Sequence, residues 1–274
     1  MRRIGILLLC LVLCIPSLGG CRRTEADTLR VTVLDVGQSD CILLSQGEAH
    51  LLIDTGTAAA RESVAAELAA LGVKQLAYLL VTHPHEDHFG NARYVLESRT
   101  VSALLLPSTP SEDAGYALMR ESATAEGILT QTVGDGYAFS LGSASCEVLC
   151  ALPEDANVNN TSLVLRVRFG ACVLLFMGDA EQEAENALLL RAEDWRADFL
   201  KVGHHGSSTA TSLAFLQAVS PAHAAISCGR DNDFGFPHAA VLQNLAAVGS
   251  TVHRTDLEGT LSYLCDGATV TYLE

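Results

Sequence analysis

Between residues 83 and 88 the chain reads His83-Pro84-His85-Glu86-Asp87-His88, which puts three imidazoles and two carboxylates on one short segment. Mixed imidazole and carboxylate ligation suits divalent transition metals such as zinc and manganese. His83 and His85 alternate and can serve one ion, while Asp87 and His88, past the reversal of a tight loop, can serve a second. The segment follows Tyr78-Leu79-Leu80-Val81, a continuous apolar run of the kind that forms a strand buried on both faces. The ligand set therefore stands where a strand ends and a helix begins. Two further apolar runs also end in reactive side chains: ACVLLFMG leads to Asp179, and FLKVG leads to His204 and His205. Asp179 precedes AEQEAENALLL, so a helix N-cap accounts for it as well as a metal ligand does.

Other polar residues carry weaker signals. Asp54 closes the run HLLI, where it reads either as a hydrogen-bond partner for a ligating imidazole or as a plain strand-end turn. His238, after Phe236-Pro237, stands either at the substrate or at the start of a helix. His50, His223 and His253 have no motif around them and read as structural, and Arg166 and Arg168 as one solvated strand face.

The elements that must hold these residues follow from periodicity. LRVTVLDV, DCILLS and HLLIDTG read as three strands from Leu29 onward, separated by Gly37 and Gly47. Residues 57–71 have helical period, with Val64, Leu68 and Leu71 on one face and Gly72 as the C-cap. Helices are expected at 91–97 and 112–126, with the strand VSALLL between them. The second half repeats the style, with strands near 145–152, 161–169, 171–177, 198–202 and 223–227, helices at 180–191, 210–219 and 238–248, and closing strands at 251–254, 260–264 and 269–273. The expectation is one α/β domain over 29–274, two β-plus-α halves whose paired sheets are covered outside by helices.

The chain has 274 residues, 49% hydrophobic and 18% charged, with a formal charge of −15. That composition excludes a disordered or fibrous chain and a stapled mini-protein. Arg2 and Arg3, the apolar stretch 4–15 and Leu18-Gly19-Gly20-Cys21 read as a leader over 1–20. The small pair before Cys21 resembles the lipobox of bacterial lipoproteins, which makes Cys21 the acylated first residue and 21–28 a tether. The expected location is the extracytoplasmic face of the bacterial cell membrane, with an ordinary secreted form as the alternative. Losing the two leader arginines leaves 15 basic against 32 acidic residues, and only Lys74 and Lys201 are lysines. A general polyanion-binding surface is excluded, so any hold on nucleic acid must be local. Six cysteines remain beyond Cys21, five of them in apolar runs, and they read as buried thiols rather than disulfides.

The HxHxDH pattern resembles the metallo-β-lactamase fold superfamily. DVGQSD at 35–40, LIDTG at 52–56, NNTSLVL at 159–165, MGD at 177–179, KVGHHGS at 201–207, FPH at 236–238 and RTD at 254–256 resemble the metallo-β-lactamase-like domain of the competence protein ComEC, in the same order, over about 29–273. The resemblance implies an αββα four-layer sandwich holding two metals. It implies His83, His85, Asp87, His88, Asp179 and His205 as ligands, with Asp179 bridging the ions, and Asp87, His204 and His238 on the catalytic side. His204 takes the phosphate or proton-transfer role. Asp54, Asn160, Lys201 and Gln38 would support the ligands or the substrate. Where many dinuclear members of the superfamily carry another His, this chain has Asn159 and Asn160, which implies a loosely held first metal. Two metals that lower the pKa of a bridging water make a hydrolase, and the resemblance implies a phosphodiesterase or nuclease acting on extracellular DNA. The alternatives are a phosphodiesterase on cell-wall phosphorylcholine or a teichoic-acid-like polymer, and a surface module that binds metal without catalysis.

Overall fold

The structure is a computed structural model that describes residues 27–274. The leader at 1–20, Cys21 and residues 22–26 of the tether lie outside the described residues. Strands run in chain order as β1 (Leu29–Val33), β2 (Ile42–Gln46), β3 (Ala49–Ile53), β4 (Gln75–Leu80), β5 (Thr100–Leu106), β6 (Leu129–Thr132), β7 (Ala138–Leu141) and β8 (Ala144–Leu149). They continue as β9 (Val164–Phe169), β10 (Cys172–Phe176), β11 (Phe199–Lys201), β12 (His223–Ile226), β13 (Thr251–Arg254), β14 (Leu261–Cys265) and β15 (Val270–Leu273). The helices are α1 (Arg61–Ala70), α2 (Glu86–Phe89), α3 (Ala92–Ser98), α4 (Ala114–Ala125), α5 (Gln182–Leu189), α6 (Leu213–Val219), α7 (Ala239–Ala247) and α8 (Thr255–Glu258).

Strand periodicity sorts the apolar side chains into three cores. Leu51 and Ile53 of β3 point between the sheets with Leu174 and Phe176 of β10, while Leu52 and Leu175, one residue out of phase, point outward. Leu52 packs with Leu68 of α1, Val95 of α3 and Met119 of α4. Leu175 packs with Leu188 of α5, Leu216 of α6 and Leu245 of α7. Burial on both faces explains why these strands read as continuous apolar runs. The result is the four-layer αββα sandwich, with sheet orders β15-β14-β1-β2-β3-β4-β5-β6 and β13-β12-β11-β10-β9-β8-β7.

The structure corrects the sequence reading in several places. Strand β6 carries too little alternation to announce itself, with Leu129 exposed, and pairing with β5 makes it a strand; β7 alternates, with Phe139 and Leu141 turned to the core, but is only four residues long and is defined by its pairing with β8. The closing strands do not all stay in the second half. β14 and β15 cross to the first sheet, where β14 pairs antiparallel with β1 from Leu29↔Cys265 to Val33↔Leu261 and occupies what would be an open edge. Leu71 is exposed, because α1 stops at Ala70 and Gly72, at φ +70°, turns the chain away. Arg166 is buried under ion pairs to Glu147 and Glu193, both 2.7 Å, and stacks over Trp195, so only Arg168 faces solvent. The six cysteines in the described residues are buried and free, and burial pushes the Cys146 thiol up to about 12. Among the described residues no helix is long and apolar enough to cross a membrane.

Candidate metal centre

In each sheet a run of parallel strands (β3 to β6 and β10 to β13) sends its carboxyl ends to one edge of the sandwich. Open α/β sheets present their ligand sites at that end of the strands. From β3 comes Asp54, from β4 the HPHEDH loop, from β10 Asp179, and from β11 His204 and His205. Two carboxylates and two imidazoles meet there: one ligand atom each from Asp87, His88, Asp179 and His205 lies within 4.8 Å of every other. His88 Nε2 is 3.2 Å from Asp179 Oδ2, and His205 Nε2 is 3.2 Å from Asp87 Oδ2. His83 Nε2 lies 3.8 Å from the same Asp179 oxygen and 3.1 Å from His85 Nδ1.

Each inner imidazole is fixed from behind. Asp54, fully buried at φ +57°, accepts from the Thr82 N–H and hydroxyl, both at 2.8 Å, and from His88 Nδ1 at 2.7 Å. That bond puts the His88 proton on Nδ1 and leaves Nε2 for the cluster. With its hydroxyl proton committed to Asp54, Thr82 Oγ1 accepts from His83 Nδ1 at 3.1 Å, and His83 Nε2 likewise turns inward. His205 Nδ1 bonds the Ser227 carbonyl at 3.0 Å and lies 3.3 Å from Asp40 Oδ1. Asp40 is itself held by the Ser227 hydroxyl and by Lys201 Nζ at 2.8 Å.

Lys201 is fully buried on that ion pair and on the Val202 carbonyl, so it supports His205 through Asp40 and does not reach a substrate. Gln38 is also occupied, its Oε1 accepting the Gly229 N–H at 3.0 Å. Asn160 Oδ1 accepts the Glu181 N–H at 3.1 Å, and Asn159 Nδ2 donates to Glu181 Oε1 at 2.9 Å. Glu181 in turn lies 3.1 Å from His204 Nδ1. The Asn pair thus works on Glu181. Asp179 does not cap α5, whose N-cap position is Glu181, so its side chain is left to the cluster.

His204 and His205 are consecutive residues in the left-handed region, at φ +46° and +52°. Each such residue costs roughly 1–3 kcal/mol and is characteristic of functional sites. The turn is pinned by the His204 N–H to Gly178 and the Ser207 N–H to His204. Its effect is to separate two neighbouring rings, His205 inward against Asp87 and His204 toward the solvent side, 3.8 Å from Asp179 Oδ2. Gly178, at φ +54° directly before Asp179, meets Ser162 and Thr82 where a Cβ would stand, so β10 passes close under the HPHEDH loop. His238 stands at the N-cap position of α7 without a side-chain cap bond, and its Nδ1 instead accepts the Ser208 N–H at 2.9 Å, which leaves the ring proton on Nε2.

The cluster is short of positive charge. Burial works against a proton on His205, but Asp179, Asp40 and Asp87 outweigh it and hold the imidazole up to about 10. Burial opposes His88 in the same way, and Asp179, Asp54 and Asp87 raise it well above the usual range. Burial would lift Asp87, yet His88 and His205 bring it down to about 2. His88 Nε2 and Asp179 Oδ1 are buried without a hydrogen-bond partner. Two unpartnered ligand atoms in an anionic pocket of imidazoles and carboxylates fit a divalent cation. Sequence reasoning passed over Asp40 and Glu181. A lone carboxylate before the apolar run CILL, and a lysine inside FLKVG, were the available signal for a buried ion pair.

Comparison with known proteins places these features. The family model described as the Metallo-beta-lactamase superfamily matches residues 34–140. The chain is 31% identical to ComE operon protein 3 of Bacillus subtilis (strain 168), over 93% of this chain and 35% of that protein. It is 33% identical to Competence protein ComA of Neisseria gonorrhoeae, over 85% of this chain and 32% of that one. The chain thus spans about a third of the length of the curated relatives it matches. Among solved structures, the metallo-beta-lactamase fold protein YhfI from Bacillus subtilis superposes with a TM-score of 0.60 at 13% identity, over 87% of this chain and all of that one. CmlA, a diiron beta-hydroxylase from Streptomyces venezuelae, gives 0.56 at 15% identity over 89% of this chain and 54% of that one.

Proposed function

Since the chain belongs to the metallo-β-lactamase superfamily, we propose that it is a metal-dependent phosphodiesterase acting on DNA outside the cytoplasmic membrane. The observation that carries the hydrolase half is the four-ligand cluster with its unpartnered His88 Nε2 and Asp179 Oδ1. The substrate half rests on the similarity to ComE operon protein 3, over 93% of the chain, and to Competence protein ComA, over 85%. In this reading Asp87, His88, Asp179 and His205 hold one divalent ion, zinc or manganese, and His83, His85 and Asp179 hold a second. When bound, such ions lower the pKa of water and neutralise charge on a phosphoryl group. Asp54 and Asp40 keep the ligating nitrogens aimed, and Glu181 orients His204 beside the open side of the cluster. His238 offers an Nε2–H to a phosphate oxygen.

Anchoring through an acylated Cys21 belongs to the same proposal and is supported by Leu18-Gly19-Gly20-Cys21. Palmitate-analogue labelling that is lost on Cys21→Ser supports it; unchanged labelling removes it. For the activity, residues 22–274 are assayed with zinc and with manganese against single-stranded DNA, duplex DNA and a chromogenic phosphodiester. Metal-dependent cleavage of DNA is expected. Turnover of the small phosphodiester alone would favour the compact cell-wall substrates, which suit the net negative charge. Stoichiometric metal without any turnover would leave a binding module.

A further inference from the structure

The segment 229–238 enters the candidate centre from the second sheet and carries a feature that the metal cluster does not use. Phe234 is 63% exposed, the only phenylalanine among the exposed large apolar side chains of the described residues. Single exposed apolar side chains are common, and Leu190 and Leu257 are more exposed still; what sets this ring apart is that it is held in a fixed stack beside the cluster. The ring is not loose. It stacks on Phe236 at 5.3 Å between centroids and 17° between planes. Asn232 Oδ1 accepts the N–H of Phe234 at 3.2 Å and of Phe236 at 2.9 Å, while Asn232 Nδ2 donates to the carbonyls of Gly229 and Phe236. Gly229 is tied to Gln38, and a Cβ there would come within 2.9 Å of the Gln38 nitrogen, so the loop base is seated directly on the 37–39 turn.

The stack runs toward the cluster. Phe236 meets the His204 ring edge-on at 5.7 Å and the His238 ring at 5.0 Å. His204 Nε2 is in turn 3.8 Å from Asp179. A flat neutral face, two imidazoles and a metal-type cluster therefore lie in sequence along one path. We infer that Phe234, backed by Phe236, is a stacking platform for a nucleobase of a single-stranded substrate whose phosphate lies at His204, His238 and the cluster. The inference rests on the phosphodiesterase reading and sharpens it to a base-bearing single strand.

The geometry and the charge favour a base over other occupants. With one face covered by Phe236, the pair offers a single plane, which matches a base; a quaternary ammonium group is held by several rings converging around it. Stacking also gives affinity without charge, as a chain with 32 acidic and 17 basic residues requires. Bases in a duplex are already stacked and paired, which restricts the platform to single strands.

The test compares steady-state cleavage, with manganese, of an oligothymidylate and of an abasic oligomer of equal length by the purified protein and by Phe234→Ala and Phe234→Trp. Because the ring is exposed, both variants should fold. The unsubstituted protein should show a KM about tenfold lower for the base-bearing strand, in line with one stacked base. Phe234→Ala should abolish that difference through KM, with kcat falling much less, and Phe234→Trp should restore it. Equal KM values for the two strands, or a difference that survives Phe234→Ala, would overturn the platform. So would a loss confined to p-nitrophenyl phosphorylcholine, which would give the ring to choline. Absence of cleavage of either strand by the unsubstituted protein would instead remove the DNA-phosphodiesterase reading beneath it.

Discussion

On one side of Asp179, His88 and His205 each have a buried carboxylate behind them, Asp54 at 2.7 Å and Asp40 at 3.3 Å. On the other side, His83 has only the Thr82 hydroxyl at its back, His85 is partly exposed, Asn160 Oδ1 is occupied by the Glu181 N–H, and Asn159, which donates to Glu181 through Nδ2, keeps a buried Oδ1 without a partner. Same edge of the sandwich, same residue types, but a prepaid orientation on one side and not on the other. The contrast teaches that ligand identity and ligand preparation are separate properties. A carboxylate behind an imidazole sets its tautomer and raises its basicity, typically worth 10–100-fold in metal affinity. On the proposed two-metal reading, the His88/His205 side should therefore be the tight side and the His83/His85 side the exchangeable one.

The largest effect should come from the residue both sides share. Asp179→Asn keeps the volume and the N–H bond to Ser162 Oγ but removes the shared charge, and hydrolysis should fall on the order of a thousandfold, as for loss of one electrostatic stabiliser in an active site. Elemental analysis of the same variant should find less than one ion per chain. Two retained ions would end the distinction between sides.

Next comes the support of the tight side. Asp40→Asn leaves Lys201 buried without its partner, and breaking such a pair costs about 3–5 kcal/mol. Urea unfolding of the metal-free protein should register that loss, and Lys201→Met combined with Asp40→Asn should recover part of it. A third comparison separates the sides by metal affinity alone. Asp54→Asn should weaken the tight class roughly 10–100-fold, whereas His85→Ala should abolish the weak class and spare the tight one. Competition with a chromophoric chelator resolves the two, and equal losses in both variants would mean one undivided site.

A further effect is a dependence on pH. His205 is held up to about 10 in the metal-free chain, above the ordinary imidazole value of 6.5. Its contribution to stability is thus fully present below pH 6.5 and is lost as pH rises through about 10. The melting temperature of the metal-free protein should decline between pH 7 and 10. Metal displaces that proton, so the loaded protein should be flat over the same window while affinity rises. A metal-free protein with no decline there would place the His205 proton elsewhere.

Much of this architecture was legible in the residues. ACVLLFMGD and YLLVTHPHEDH read as buried strands with ligands at their ends because parallel strands covered on both faces must be apolar throughout. Strand β6 was not legible, since its exposed positions carry no alternation and only neighbouring strands define it, and β7, although Phe139 and Leu141 alternate with exposed Ala138 and Ser140, is too short at four residues to stand out. The return of β14 and β15 to the first sheet was also hidden, because local periodicity does not say which edge a strand will find.

The amino-acid sequence by itself determined which groups are available and that they stand at strand ends, because hydrophobic period and ligand chemistry are local properties. Only the tertiary structure decided what each group faces. Lys201 finds Asp40 across 161 residues of chain, and a left-handed turn sends His205 to Asp87 and His204 to Glu181. Asn159 and Asn160 turn to Glu181, and Phe234 is left bare beside the cluster. Hydrogen bonds and ion pairs act over about 3 Å, so which partners meet is fixed by the packing of distant segments.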